Sequence, residues 1–147
     1  MITIKEVQNL FAQGFDCSQI VVSYFAEELG ISDKIAKKVS AAFGGGVFEG
    51  EMCGAYSGAL IVIGLKYGHY EPDTPDVKNQ NVGKVMEFKQ KFKEKYDSCT
   101  CKDLLGGLCL ADPDDMRVLT EKNTLMTFCP KLVVDVIEIL EEVLISE

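Results

Sequence analysis

The sequence has a single histidine, His69, among its 147 residues. One histidine cannot supply the several imidazole ligands of a typical catalytic zinc site. No Cys-x-x-Cys-His segment is present, which argues against covalent haem attachment. A metal site built by this chain alone would therefore consist mostly of thiolates, which suits zinc or an iron–sulfur cluster. His69 follows a predicted helix end and is predicted to lie at the surface.

Positive charge and long apolar runs are also scarce. The net charge of -8 argues against a nucleic-acid partner, because phosphate binding needs a basic surface. The longest apolar run, Met52–Leu65, is shorter than the ~20 residues of a membrane-spanning helix, so no membrane insertion is predicted. Charged residues appear within the first six positions, which predicts no secretion signal and a cytoplasmic protein.

No segment alternates with period two for long enough to predict a strand. Apolar residues instead recur at helical spacing in short segments, which begin at capping residues and end at glycine or proline. The sequence therefore predicts an all-α fold, a single domain over residues 1–147 with about six to seven short helices. The predicted helix starts are Thr3, Asp16, Ser32 or Asp33, Cys53, Asp76, Asp112 and the segment Phe128-Cys129-Pro130, and Thr100 is predicted to begin a short turn.

Two predicted helices carry stripes of apolar residues that we expect to be buried. Ile35 and Val39 form part of the stripe in the third helix, and Val82 belongs to that of the fifth. The lysines between Lys84 and Lys95 are predicted to face water. We interpret them as the solvated face of one helix and not as a nucleic-acid site.

A glycine-rich segment precedes the predicted fourth helix. Gly44–Gly46 lacks the preceding strand and the lysine of a phosphate-binding loop, so it is predicted to end the third helix. Gly54 and Gly58 stand in the fourth helix itself, where glycine costs about 1 kcal/mol relative to alanine. We expect these two glycines to make room for a neighbouring helix or a bound cofactor beside Cys53.

Six cysteines are present, and without a secretion signal they favour metal binding or redox chemistry over structural disulfides. Four of them fall at or next to predicted helix N-termini, where free backbone N–H groups and the helix dipole favour a thiolate. They are predicted to be reactive or metal-binding. The alternative is that they pack in the core as small hydrophobic residues. These four are Cys17, Cys53, Cys101 and Cys129.

The order Cys17…Cys53-Gly54-Ala55-x-x-Gly58…Cys101…Cys129 resembles the C_GCAxxG_C_C family of redox-active proteins, a bacterial and archaeal group of about this length. The resemblance extends over nearly the whole chain. It implies four characteristic cysteines, which are the same four that the helix positions single out. Cys99 and Cys109 are additional cysteines of this sequence.

Three functions fit these features. In the first, the four cysteines converge on one site and bind an iron–sulfur cluster or zinc for electron transfer or sensing. In the second, Cys53 is the catalytic attacking thiol of a metal-free thiol–disulfide protein, and Cys17, Cys101 or Cys129 resolves the intermediate. In the third, the chain is a helical binding module with structural cysteines. The candidate partners are a redox partner protein, a small thiol and a second copy of the chain in a homodimer.

Overall fold

The structure is a computed structural model that describes residues 1–146, and this part of the chain forms eight α-helices and no strand. The all-α prediction is confirmed. The helices exceed the predicted number, and two of them are long, with 19 and 22 residues. They are α1 (Ile4–Ala12), α2 (Cys17–Tyr24), α3 (Asp33–Ser40), α4 (Gly54–Tyr67), α5 (Pro75–Lys93), α6 (Cys101–Leu104), α7 (Pro113–Glu121) and α8 (Thr124–Ile145).

Capping residues begin several helices where the sequence predicts them. The Thr3 hydroxyl accepts a hydrogen bond from the Glu6 N–H at 3.1 Å, and the Thr100 hydroxyl accepts one from the Asp103 N–H at 3.3 Å. Asp112 accepts from two N–H groups of α7. These bonds satisfy N–H groups that have no partner within the helix, and so they fix where each helix begins.

The core is built around α8, which packs against α1, α2, α4, α5 and α7. Its inward stripe is fully buried, as at Val133, Val136 and Leu140. Helices α2 and α4 pack against each other, and they carry Cys17 and Cys53 at their N-terminal ends. Within residues 1–146, neither these helices nor any other is both long and apolar enough to cross a membrane.

Gly54 and Gly58 allow α4 to approach neighbouring backbone very closely. A Cβ atom at Gly58 would lie 3.1 Å from the Ser18 carbonyl oxygen of α2. One at Gly54 would lie 2.9 Å from the Phe43 carbonyl oxygen, in the 3₁₀ turn that follows α3. The group that comes close to these glycines is thus protein backbone. The close approach brings the beginnings of α2 and α4 together.

Replacing Gly54 by alanine is expected to destabilise the protein by about 1–3 kcal/mol, the usual cost of overpacking a tight contact. Gly64→Ala is the matched control in the same helix, because a Cβ atom there meets nothing within 4 Å. That control should be stabilised by up to about 1 kcal/mol through the better helix propensity of alanine. Urea unfolding of both variants measures the difference. Equal effects of the two substitutions would contradict the close approach.

Helix α3 buries a different face from the predicted one. The prediction for Ile35 and Val39 is wrong, since their side chains are 53% and 50% exposed. The buried residues are Ala36 and Ser40, whose small side chains let α3 lie against α2. The Ser18 hydroxyl donates a hydrogen bond to the Ser40 carbonyl at 2.8 Å across this contact. The helix thus packs through small residues and a polar contact, which an apolar stripe does not predict.

The predictions for Val82 and Lys84 of α5 are also wrong. Val82 is 47% exposed, whereas Lys84 is buried. The Lys84 ammonium group donates hydrogen bonds to the Val143 carbonyl at 3.0 Å and to the Ser146 carbonyl at 2.7 Å. Carbonyl groups at the end of a helix lack internal partners and attract a cation. Lys84 therefore turns inward because it caps the C-terminus of α8.

Candidate functional site

Cys17, Cys53, Cys101 and Cys129 line a single cavity of about 320 Å³. Cys17 and Cys101 are the first residues of α2 and α6, and Cys53 is the N-cap of α4. Cys129 comes from α8. Four segments that are distant in the sequence therefore bring one thiol each to the same cavity.

The rest of the cavity wall is almost entirely apolar. Within the described part of the chain, Asp16 is the one charged residue of the wall, and no lysine, arginine or histidine contributes to it. Gly54 belongs to the wall, whereas Gly58 lies one turn further along α4 against α2. The apolar side chains of the wall are Phe11, Phe15, Leu104, Leu105, Leu110, Leu125, Met126, Phe128 and Leu132.

A short antiparallel pairing of two backbone segments holds Cys53 next to Cys101. Met52 lies opposite Thr100 in an isolated β-bridge. On one side of it the Cys53 N–H donates to the Cys99 carbonyl at 2.7 Å, and on the other the Cys101 N–H donates to the Glu51 carbonyl at 2.6 Å. The sequence analysis missed this pairing, because three residues on each side are too few to produce a visible period.

A left-handed turn leads the chain into this pairing. Gly45, Gly46, Val47 and Phe48 have φ angles of 58°, 65°, 51° and 58°, and the Glu51 N–H closes the turn onto the Gly46 carbonyl at 3.0 Å. Left-handed backbone costs a non-glycine residue about 1–2 kcal/mol, so Val47 and Phe48 carry strain next to the cavity. Helix α3 ends at Ser40 and a 3₁₀ turn, Ala41–Phe43, follows it. The glycine triplet therefore ends that turn and not α3, which corrects the prediction, and it also begins this strained turn.

The prediction that Cys129 lies at a helix N-terminus is wrong. Helix α8 begins at Thr124, so Cys129 and Pro130 lie within it. Proline has no N–H to donate to the carbonyl four residues earlier, which belongs to Met126. The Gln8 side-chain amide of α1 donates to that carbonyl instead, at 2.6 Å. This long-range hydrogen bond satisfies the carbonyl that Pro130 leaves without a donor, and an unsatisfied carbonyl is one reason why proline is unfavourable inside a helix. The other three cysteines do lie at helix N-termini.

Burial keeps the thiols of the cavity protonated. It raises the pKa of both Cys101 and Cys129 to about 12, and the nearby Cys53 thiol contributes in each case. Burial also raises the pKa of Cys17, with further contributions from the other three thiols. No cation in the described wall offsets this effect. The four groups are therefore neutral thiols at neutral pH, with no thiolate among them.

Cys53 shows that desolvation outweighs the helix N-terminus. Burial raises the pKa of its thiol, although the backbone N–H groups of Tyr56 and Ala55 hydrogen-bond to the sulfur and act in the opposite direction. The side chain is 7% exposed, so the thiolate would lose most of its hydration. The expectation of lowered thiol pKa values at these helix ends is therefore wrong for the protein with a metal-free cavity.

Alkylation of Cys129 in the reduced, metal-free protein should be slow at neutral pH and should accelerate by about tenfold per pH unit into the strongly alkaline range. The reason is that the thiolate is the reactive form, and its fraction keeps rising until the pH reaches the raised pKa. Iodoacetamide labelling is read from the tryptic peptide 123–131, which carries this cysteine alone. In urea the rate should level off near the ordinary thiol pKa of about 8.5. The same levelling in the folded protein would contradict the raised pKa.

The remaining candidate residues lie outside the cavity wall. His69, Glu49 and Glu51 are exposed, and the surface position predicted for His69 is confirmed. Cys99 and Cys109 are half-buried, and all six thiols are free. Within residues 1–146, no three His, Cys, Asp or Glu side chains are grouped so that they could hold one metal ion as they stand.

The fold and the cavity define a class: an all-α protein with four cysteines around one apolar cavity. The chain belongs to the family described as "Putative redox-active protein (C_GCAxxG_C_C)", whose model matches residues 15–143. This match confirms the resemblance seen in the sequence and supports a redox role. No curated protein and no solved structure matches the chain.

Proposed function

We propose that Cys17, Cys53, Cys101 and Cys129 hold an iron–sulfur cluster and that the protein serves in electron transfer or sensing. The observation that carries this proposal is that four cysteine side chains line one apolar cavity. Four cysteine thiolates are the ligand set of both the 2Fe–2S and the 4Fe–4S cluster types. A bound cluster would supply one-electron redox chemistry.

The size of the cavity favours a cluster over a single metal ion. Its volume of about 320 Å³ is many times that of a single metal ion. A single zinc ion requires all four sulfurs within about 2.3 Å of one point, which would leave much of this space unfilled. Zinc therefore remains the second candidate metal.

The residues around the thiols have roles that suit such a cofactor. Apolar side chains of α1, α6 and α8 make up much of the cavity wall, and the solvent exposure of a cluster is one of the factors that set its potential. The N–H groups of Ala55 and Tyr56 hydrogen-bond to the Cys53 sulfur and would stabilise its thiolate. Gly54 belongs to the cavity wall beside Cys53, and its lack of a side chain lets the backbone of Phe43 and Ser18 pack against it.

The protonation of the thiols disfavours the metal-free alternative. Thiol–disulfide exchange needs an attacking thiolate, and burial keeps Cys53 neutral at neutral pH. Metal binding, in contrast, displaces the thiol protons and compensates the buried negative charge. A neutral four-thiol cavity is therefore better suited to metal binding than to the rapid thiol–disulfide exchange of an oxidoreductase.

Anaerobic purification followed by iron and acid-labile sulfide analysis and visible absorption tests the proposal. We expect a coloured protein with iron and sulfide in equal amounts, both in the isolated protein and after reconstitution. Zinc without sulfide would favour the single-ion site. A colourless, metal-free protein whose thiols are all titratable, even after reconstitution, would overturn the proposal.

A further inference from the structure

We propose that Cys53 and Cys99 form a reversible disulfide, in which Cys99 is the partner that reacts first. Cys99 lies outside the four-cysteine set, and the proposed function gives it no role. The disulfide would form in the metal-free protein and would occupy the sulfur of Cys53. It therefore constitutes a second redox site at the edge of the cavity.

The register of the short antiparallel pairing brings the two residues together. The β-bridge pairs Met52 with Thr100, and the Cys53 N–H donates to the Cys99 carbonyl at 2.7 Å. Moving one residue along each segment in opposite directions from the bridge leads to Cys53 and Cys99. The two cysteines are thus directly opposite each other, in a hydrogen-bonded position of the ladder.

The Cα spacing expected at this position lies within the range of a disulfide. Opposed residues in a hydrogen-bonded antiparallel position have Cα atoms about 5.5 Å apart, and a disulfide needs about 4.4–6.8 Å. Side chains of opposed residues also lie on the same face of the ladder. Burial is the main factor that raises the pKa of Cys53, and the neighbouring Cys99 thiol also contributes. The two thiols are therefore close enough to interact electrostatically.

The two thiols differ in accessibility, which sets the order of reaction. Cys99 is half-buried, whereas Cys53 is 7% exposed. An oxidant from solution therefore reaches Cys99 first. Cys109 is also half-buried, but its N–H is bonded to the Asp115 carboxylate, and it is not opposed to a cysteine in the described pairing. This makes Cys109 a suitable control.

The reaction requires a low-molecular-weight disulfide such as oxidised glutathione. Cys99 loses its proton to solvent and attacks one sulfur of this molecule, whose S–S bond breaks to release one small thiolate that takes up a proton. Cys53 then loses its proton, a step that its raised pKa makes slow at neutral pH, and attacks the Cys99 sulfur of the mixed disulfide, which releases the second small thiol. Two electrons pass from the cysteine pair to the small disulfide, and two protons end on the two thiols released.

The consequence for the cavity rests on the proposed function. A Cys53 sulfur bonded to Cys99 cannot serve as a thiolate ligand, so the oxidised protein would present only three of the four thiols. Oxidation of the metal-free protein would thus block assembly of the cluster, and reduction would restore it. The disulfide itself does not depend on whether the cavity binds iron.

Peptide mapping of the metal-free protein after treatment with oxidised glutathione tests the proposal. Trypsin should yield a linked species that joins residues 39–66, which contain Cys53, to residues 96–102. The second peptide contains both Cys99 and Cys101, so fragmentation between them must assign the bond to Cys99. The linked species should be absent in Cys99→Ser and Cys99→Ala and unchanged in Cys109→Ser, with circular dichroism confirming that each variant is folded.

Iron uptake by the same samples gives a second readout. Oxidised wild type should take up several-fold less iron than reduced wild type, whereas Cys99→Ser should be insensitive to the treatment. If the reduced wild type takes up no iron but the linked species forms, the proposed function fails and the disulfide stands. No linkage, or linkage through Cys101 instead of Cys99, would overturn the disulfide.

Discussion

Serine in place of Cys17, Cys53, Cys101 or Cys129 is expected to remove most of the iron and sulfide that the reconstituted wild-type protein binds. Loss of a residue that only supports a metal ligand already costs about 10–100-fold in affinity, and loss of a ligand itself should cost at least as much. A serine hydroxyl is a poor replacement, because it stays protonated where a thiol can ionise. Iron and sulfide analysis with visible absorption of the four variants measures the effect.

These substitutions should remove the metal without unfolding the protein. Cys17, Cys53 and Cys101 stand at the start of helices, where serine is a favourable residue. Cys129 lies within α8, so alanine is the better replacement there. Cys109→Ser is the matched control and should bind as much iron as wild type. Retention of wild-type iron by any one of the four variants would exclude that cysteine from the ligand set.

Alanine in place of Gly46 is expected to lower the free energy of unfolding by about 2–5 kcal/mol. About 1–2 kcal/mol comes from left-handed backbone, since φ is 65° at this residue. Another ~1–3 kcal/mol comes from overpacking, because the added Cβ atom would lie 2.5 Å from the Glu51 nitrogen and 2.9 Å from the Cys101 Cβ atom. The clash falls on the pairing that holds Cys53 and Cys101, so iron binding should fall as well.

Gly106→Ala separates the two contributions to this effect. Gly106 also has left-handed backbone, with φ of 72°, but a Cβ atom there would meet nothing within 4 Å. The free energy of unfolding of Gly106→Ala should fall only by the backbone contribution of about 1–2 kcal/mol, and this variant should still bind iron. Urea unfolding and iron analysis of both variants provide the comparison. Equal losses in the two would show that Gly46 does not hold the site together.

Helix ends are the part of the fold that the sequence predicts best. Thr3, Thr100 and Asp112 cap the helices that follow them, because a side-chain cap acts within three residues of its own position. The same local logic identified Cys17, Cys53 and Cys101, which stand at such ends. Helix-start patterns in the sequence therefore predict three of the four cysteines of the cavity.

Long-range contacts explain what the sequence did not predict. Pro130 indicated a helix start, but a side chain more than a hundred residues away, Gln8, compensates its missing hydrogen bond. Lys84 was predicted to face water, but the end of α8 draws it inward. The pairing of Met52 with Thr100 leaves no periodic trace in either segment. Each of these contacts depends on the arrangement of helices, which a local pattern does not contain.

X-ray diffraction from crystals of the reconstituted protein, recorded at the iron absorption edge, tests the central claim most directly. The account predicts anomalous density inside the apolar cavity, in contact with the sulfur atoms of Cys17, Cys53, Cys101 and Cys129. Iron density at surface carboxylates with an empty cavity would contradict it. So would a disulfide between any two of these four cysteines in crystals grown under reducing, anaerobic conditions.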